Sequence, residues 1–391
     1  MADATSCDVL IAGGGHAGLM LGAALARAGL AVRLIERQPQ ATIAAARADG
    51  RSLALLAGSL RIARQLGVWP AIAADTEAIE RVEVIDAAGG RGVHYDCRSH
   101  GKGPFGAGIE FHALRQGMLR AFLAAAGPEA WIAGEVASLH RVPEAIEVGL
   151  ADGRCLRARL LVGADGRGSR VRELARIGVE RWDYGQHALT LVLRHPHHHT
   201  VHEWLRGGGP LATLPLPRGR LGITWVERST AARELAALAP AGLLARLAEE
   251  SGGVLAGAEL ESGPAAFPLG AQHARTYVAL RLALVGDAAH GVHPIHAQGF
   301  NMGVADIGAL TETLLQAHAR GRDLGSGETL LPYARRRRGD NRQRLWLTDG
   351  MVRLFTSELA PLRAARGLAL SAIETVPPLK RLAVRHGMQT G

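Results

Sequence analysis

Apolar runs at positions 8–12, 31–35, 156–162 and 282–285 punctuate the chain, and each closes on glycine or a carboxylate. After three of them (8–12, 156–162 and 282–285) come a glycine-bearing turn and then apolar residues at helical spacing. The pattern predicts strand-turn-helix units, the first followed directly by a second strand, as in a parallel α/β sheet. Other stretches differ. Positions 79–95, 188–193, 209–216 and 220–227 read as short β pieces, and 231–250 reads as one helical interval. An antiparallel insert of this kind, laid over an α/β domain, makes the roof of a substrate cavity. From Arg335 onward, Leu345, Val352, Phe355 and Leu359 recur at helical spacing and predict C-terminal helices packed on the parent domain.

These patterns give an α/β fold in three parts. A Rossmann-like domain is expected to be discontinuous over 1–72, 104–180 and 274–340. A β-rich substrate domain takes 73–103 and 181–273, and a C-terminal helical segment takes 341–391.

Bulk properties narrow the function. A length of 391 residues exceeds one small core, and 48% hydrophobic with 21% charged residues describes a globular body. The net charge of +9 is carried almost wholly by arginine, since only Lys102 and Lys380 are lysines. With 4% aromatics and no recognition-helix or base-stacking motif, nucleic acid is not an expected partner. Arginines in the C-terminal part leave an anionic membrane surface open. Cys7, Cys97 and Cys155 are odd in number and widely spaced, which gives neither a disulfide framework nor a zinc site. His195, His197, His198, His199 and His202 cluster, but no cysteine or carboxylate set completes a metal site, and no metal is expected. No basic segment followed by an apolar stretch opens the chain, and no uncharged apolar run reaches roughly 18 residues. The expected setting is cytoplasmic, with a peripheral position at the inner membrane left open.

The chemistry concentrates at the turns. Gly13-Gly14-Gly15-His16-Ala17-Gly18 follows the first strand, and Glu36 ends the second. Gly13 suits a tight turn, Gly15 lets backbone approach a pyrophosphate, Gly18 permits close helix packing, and Glu36 can accept from ribose hydroxyls. That constellation predicts a dinucleotide, NAD or FAD. Arg47 and Arg51 follow where a guanidinium can close over phosphates, with solvated surface arginines as the alternative. Arg115 stands at the start of its helix, where the macrodipole disfavours positive charge, so either an anion lies nearby or the side chain is simply exposed. A second turn carries Asp165-Gly166, and a third carries Gly286-Asp287 ahead of a helix expected to begin near Asn301. Asp287 can take a ligand hydroxyl, and Gly299 with the N–H groups near Asn301 can hold the electron-rich edge of a flavin. All three strand ends are expected to converge on one crevice.

In combination, the glycine turn with Glu36-Arg37, Asp49-Gly50-Arg51-Ser52-Leu53-Ala54-Leu55, Gly163-Ala164-Asp165-Gly166-Arg167, Gly209-Pro210-Leu211-Ala212-Thr213-Leu214-Pro215, Gly286-Asp287-Ala288-Ala289-His290 and Thr348-Asp349-Gly350 with Leu354-Phe355 resemble one family. It is the ubiquinone-biosynthesis hydroxylases, FAD-dependent aromatic monooxygenases of para-hydroxybenzoate hydroxylase type. The resemblance covers essentially the whole chain. It implies FAD bound by Gly13, Gly15, Gly18, Glu36 and Arg37, with Arg51 and Arg115 near the pyrophosphate and Asp165 serving FAD and the pyridine nucleotide. It further implies Gly286 and Asp287 at the ribityl chain and Gln298, Gly299 and Asn301 at the flavin pyrimidine. NAD(P)H is implied as a transient reductant, O2 as co-substrate through a flavin hydroperoxide, and a polyprenylated phenol of ubiquinone biosynthesis as substrate. Other ubiquinone-biosynthesis proteins are possible partners by the same likeness. One departure stands out: Ile295 is followed by His296-Ala297, where the family usually has Ala-Gly. His296, beside Pro294, is therefore the candidate catalytic group, able to exchange a proton near neutrality or to shape the cavity. It also keeps two alternatives open: hydroxylation of a soluble phenol or polyketide, and a non-hydroxylating FAD-binding scaffold.

Overall fold

The structure is a computed structural model that describes residues 6–87, 89, 91–100, 103–357 and 359–387, with backbone alone for positions 100, 296, 360, 363–365 and 386. The chain runs β1 (Ser6–Ala12), α1 (His16–Arg27), β2 (Val32–Glu36), α2 (Gln40–Ala44), β3 (Ser52–Leu56), α3 (Ala57–Gln65), β4 (Thr76–Ile79), β5 (Arg81–Asp86), β6 (Gly92–Asp96) and β7 (Gly106–Glu110). It continues through α4 (Phe111–Ala126), β8 (Trp131–Ala133), β9 (Val136–Arg141), β10 (Ile146–Leu150), β11 (Cys155–Gly163), α5 (Arg170–Leu174), β12 (Val179–Arg194), β13 (Thr200–Leu205), β14 (Leu211–Leu216) and β15 (Arg220–Arg228). Last come α6 (Ser229–Ala236), α7 (Pro240–Glu250), β16 (Glu259–Ala274), β17 (Val278–Ala279), β18 (Leu282–Leu284), β19 (His290–Gly291), α8 (Gln298–Ala319), α9 (Gly327–Thr356), α10 (Ala360–Thr375) and α11 (Pro377–Gly387).

The first sheet has the order β17-β18-β11-β1-β2-β8, with the β9–β10 hairpin paired to β11. Its strands β18, β11, β1, β2 and β8 run parallel. Val9, Leu10, Ile11, Leu160, Leu161 and Val162 are fully buried, which is why these strands read as unbroken apolar runs and not as alternation. Register places Ile35, Ala12, Gly163 and Leu284 side by side, so the ends of four strands form one row.

A second sheet, β19-β16-β12-β15-β14-β13-β5-β6, forms the roof. Leu189, Leu191, Leu193, Ile223 and Trp225 alternate onto one face and pack with Ala232, Leu243 and Leu247 of α6 and α7. The other face meets the small sheet β3-β7-β4. Glycines permit that approach. A Cβ at Gly108 would lie 2.0 Å from the Pro215 carbonyl oxygen, and one at Gly222 would lie 2.0 Å from Ser52 Oγ.

Several expected boundaries shift for identifiable reasons. Strand β12 spans 16 residues where only 188–193 read as strand, because a bulge at Asp183–Gln186 with Gly185 at φ +62° interrupts its first half. The interval 231–250 divides into α6 and α7, the second opening on Pro240 as its first residue. Helix α9 runs unbroken through position 341, where a separate C-terminal part was expected to begin. Helices α10 and α11 close on the roof: Leu370, Ile373 and Val384 pack with Val82, Val84 and Val93, and a buried Arg366 guanidinium donates twice to Asp86 at 3.1 and 3.0 Å.

Candidate functional site

The row of strand ends fixes the site. Gly13 follows β1 at φ +110°, and a Cβ there would sit 2.4 Å from the Ala164 carbonyl oxygen. A Cβ at Gly18 would sit 1.9 Å from the Gly13 carbonyl oxygen. Gly15 is different: a Cβ on it would touch nothing within 4 Å. Gly15 also starts α1 with no side-chain cap, so the first N–H groups of that helix face open space. Two of the three motif glycines are thus demanded by the protein's own packing, and the third leaves room at a helix start of the kind a pyrophosphate fills.

Glu36 lies beside this turn. Its Oε2 accepts from Gly14 N at 2.7 Å and its Oε1 from Gln38 N at 3.0 Å. Arg115, 101 residues from Gly14, donates through Nε to the Gly14 carbonyl at 2.9 Å and through Nη1 to Gln38 at 2.6 Å, with Nη2 3.6 Å from Glu36. The unfavourable position of this arginine on α4 is explained by the acceptors it reaches. Arg37 and Arg47 are exposed. Arg51 pairs with Asp49 and lies over the Phe111 ring, 4.0 Å from its centroid.

Asp165 turns inward, its carboxylate accepting from Ser169 Oγ at 2.5 Å and from Val171 N at 3.0 Å, and so caps α5. Asp287 does the opposite. It opens to the crevice, and among the described residues no group donates to its carboxylate. Burial by the surrounding protein pushes that carboxyl up, against the pull of His290 and Arg167. A hydroxyl-bearing ligand is the partner such a group lacks. Gly286, at φ +58°, donates its N–H to Asp306 at 3.2 Å.

Helix α8 begins at Gln298, three residues before the expected start, because Ala297 takes a left-handed conformation (φ 52°) and no side chain caps the helix. An uncapped helix start of this kind presents a positive dipole end to an electron-rich edge. The Asn301 side chain is fully used within the protein: Oδ1 accepts from Leu56 N at 2.9 Å, and Nδ2 donates to Ala54 O and Ala297 O at 2.8 and 2.7 Å. Gln298 accepts from Arg344 at 3.2 Å, a Cβ on Gly299 would meet only Val292 at 3.5 Å, and Pro294 begins the short turn before α8. The side chain of His296 lies outside the described residues.

Two features escaped the sequence. Behind Gly286–Asp287, Asp306 accepts from His290 at 2.6 Å, from Arg337 at 2.8 Å and from Asn341 at 2.9 Å, all of them buried. Burial alone would raise the Asp306 carboxyl, but His290 and Arg337 outweigh it and hold it below the usual range. The partners come from β19, α8 and α9, so only the fold joins them. The second feature is His16, buried against Phe111 and donating through Nε2 to the Phe111 carbonyl at 2.8 Å. Burial brings its pKa down to about 4, with Arg115 and Arg51 adding to the shift. His273 falls to about 4 as well, first by burial and then by His290 and nearby arginines. Both rings fold neutral and must charge in the unfolded chain below its ordinary pKa of about 6.5. Stability should therefore be complete above pH 6.5 and fall toward pH 4, by an amount on the order of 3 kcal/mol for each ring. Denaturant titrations at pH 7.5 and 4.5 check this; equal midpoints would contradict it.

Among the described residues no group of three or more His, Cys, Asp or Glu is placed to hold a metal, and no helix is long and apolar enough to cross a membrane. A family model described as FAD binding domain matches residues 6–344. The chain is 37% identical to ubiquinone hydroxylase UbiL of Rhodospirillum rubrum, over 98% of this chain and 90% of that protein. It is 33% identical to 3-demethoxyubiquinol 3-hydroxylase of Escherichia coli, over 97% and 98%. Among solved structures, p-nitrophenol 4-monooxygenase of Pseudomonas putida has the same fold, with a TM-score of 0.79, 16% identity and 98% of each chain covered. With its glycine turn, open carboxylate and uncapped helix starts lined up on one sheet edge, the chain belongs to the FAD-binding family of flavin-dependent monooxygenases that includes the ubiquinone hydroxylases.

Proposed function

We propose that this enzyme hydroxylates the aromatic ring of a polyprenylated phenol in ubiquinone biosynthesis, using NAD(P)H and O2. The observation that carries the reading is the single row of strand ends, with an open anion site at Gly15 and an open carboxylate at Asp287, in a chain similar end to end to ubiquinone hydroxylases. Bound FAD supplies the activation of O2, chemistry that no side chain offers. The residues do the rest. Gly13 and Gly18 shape the turn, and the α1 amides beside Gly15 hold the pyrophosphate, with Arg115 and Arg51 adding positive charge. Glu36 has lone pairs left for ribose hydroxyls, and Asp287 accepts from the ribityl chain. The positive end of α8, at Gly299, stabilises negative charge on the pyrimidine edge. Asn301 acts indirectly, by pinning β3 to the start of α8. Pro294 and His296 form the turn assigned to the reacting ring, and the sheet roof keeps water out.

The division into a discontinuous FAD-binding part, a roof domain and a helical C-terminal part belongs to the same reading. So does attachment to an anionic membrane surface. Of the twelve exposed large apolar side chains among the described residues, eight fall between Trp346 and Leu382, where Arg353 and Arg381 are also exposed. The test is product analysis by mass spectrometry. Purified enzyme should couple NAD(P)H oxidation to ring hydroxylation of a polyprenylated phenol, a strain lacking it should accumulate the unhydroxylated precursor, and the protein should pellet with anionic vesicles. Equal turnover of tailless phenols, or peroxide as the only product, would count against the proposal.

A further inference from the structure

A cleft of about 620 Å³ opens at one end of the roof, between the bulge of β12 and the last turns of α9. Its size suits a cofactor-sized molecule. Four features of its lining converge. Trp182 and Tyr184 present aromatic surface, and Tyr184 packs edge-on to His293, 5.2 Å between ring centroids, in the loop that leads to Pro294. Arg228 is exposed at the rim with no carboxylate paired to it among the described residues, whereas the two carboxylates of the lining are engaged, Asp349 by Arg353 at 2.8 Å and Asp183 by the Gly185 N–H at 2.9 Å. The adjoining α6 starts at Ser229 with no side-chain cap, so its first N–H groups also face an anion's position. Gln186 is 94% buried, and its Nε2 donates to Gly208 O at 2.7 Å while Oε1 has no partner among the described residues. A buried acceptor left open calls for a ligand N–H or O–H.

These features do not suit a polyprenyl tail, which would need an apolar channel free of guanidinium groups. They suit a molecule with flat heteroaromatic rings, amide or hydroxyl donors, and a charged phosphate bridge. We propose that this cleft docks the reduced pyridine dinucleotide, its phosphates against Arg228 and the start of α6, and one ring along Trp182 and Tyr184 with a donor to Gln186 Oε1. The Tyr184–His293 contact then links the docked ring to the turn ahead of α8. This assignment rests on the reading of the chain as an NAD(P)H-dependent enzyme and adds to it the place where the reductant binds.

The test uses the FAD-bound holoenzyme and the redox-inert probes NAD+ and NADP+, followed by calorimetry and by quenching of tryptophan emission. Arg228→Ala should weaken binding of the preferred probe by about tenfold, the loss of one charge-assisted contact. The KM for the reduced form should rise by more than kcat falls, with FAD content unchanged, and Arg228→Lys should recover part of the loss. Trp182→Phe should remove most of the quenching while the protein still binds. Unchanged affinity in Arg228→Ala, in an enzyme that does oxidise NAD(P)H, would overturn the cleft assignment alone. So would a rise in the KM of the phenol in place of that of the nucleotide. A wild-type holoenzyme that binds and oxidises neither nucleotide would overturn both this assignment and the functional reading beneath it.

Discussion

Gly18→Ala is expected to leave little folded, FAD-binding protein. The added methyl would stand 1.9 Å from the Gly13 carbonyl oxygen, a backbone atom at the end of β1 that cannot rotate aside. Either α1 lifts from the sheet or the turn opens, and each exposes part of the core built from Val9, Ile11, Leu19 and Leu21. Overpacking of this kind costs roughly 1–3 kcal/mol where side chains can yield, and against backbone the upper end or beyond is expected. Gly13→Ala should be as damaging, since it adds a left-handed φ to a 2.4 Å clash with Ala164. Gly15→Val should fail in another way, because its side chain enters open space and its backbone (φ −79°, ψ −177°) suits any residue. Thermal unfolding and FAD content after purification separate the two classes. A Gly18→Ala protein with wild-type melting temperature and full FAD would refute the packing argument.

The second large effect is expected at Asp306. Removing its carboxylate by Asp306→Ala strands a buried arginine: Arg337 loses its 2.8 Å partner, His290 loses its 2.6 Å partner, and Asn341 loses an acceptor. Breaking a buried ion pair from one side typically costs about 3–5 kcal/mol, and the lower end is expected here because Arg337 keeps the exposed Asp340 at 3.0 Å as its other counter-ion. The Gly286 N–H also loses its acceptor, so the turn that displays Asp287 should loosen and FAD affinity should fall together with stability. Asp306→Asn keeps the shape and an acceptor oxygen and should lose less. Urea unfolding of both variants, with FAD titration of each, checks the prediction. A loss under about 1 kcal/mol with unaltered FAD affinity would show that the network is dispensable.

The parallel sheet and its turns were legible because each signal is local. A fully buried strand is an apolar run, and the turn after it must carry glycine where a carbonyl lies within 2.4 Å, as at Gly13. Register was not legible, yet register is what brings Ala12, Gly163 and Leu284 into one row. Asn301 shows a different limit. Its position was visible, but its three contacts with residues 54, 56 and 297 depend on β3 packing against α8, which no spacing announces. The same holds for Arg115, whose partners lie 77 and 101 residues away, and for the Asp306 network, assembled from three separate elements. The bulge in β12 hid half of that strand, because residues 184 and 185 drop out of the pairing and interrupt the run on which strand recognition depends.

Everything proposed for the crevice depends on FAD phosphates occupying the open space before α1. The most direct measurement is therefore FAD bound per chain in Gly15→Val against wild type, with apoprotein stability measured on both. The account predicts two apoproteins that unfold alike and a variant that binds no FAD, because the valine side chain takes the phosphate's place. A Gly15→Val protein that holds FAD as tightly as wild type would place the cofactor elsewhere and contradict it.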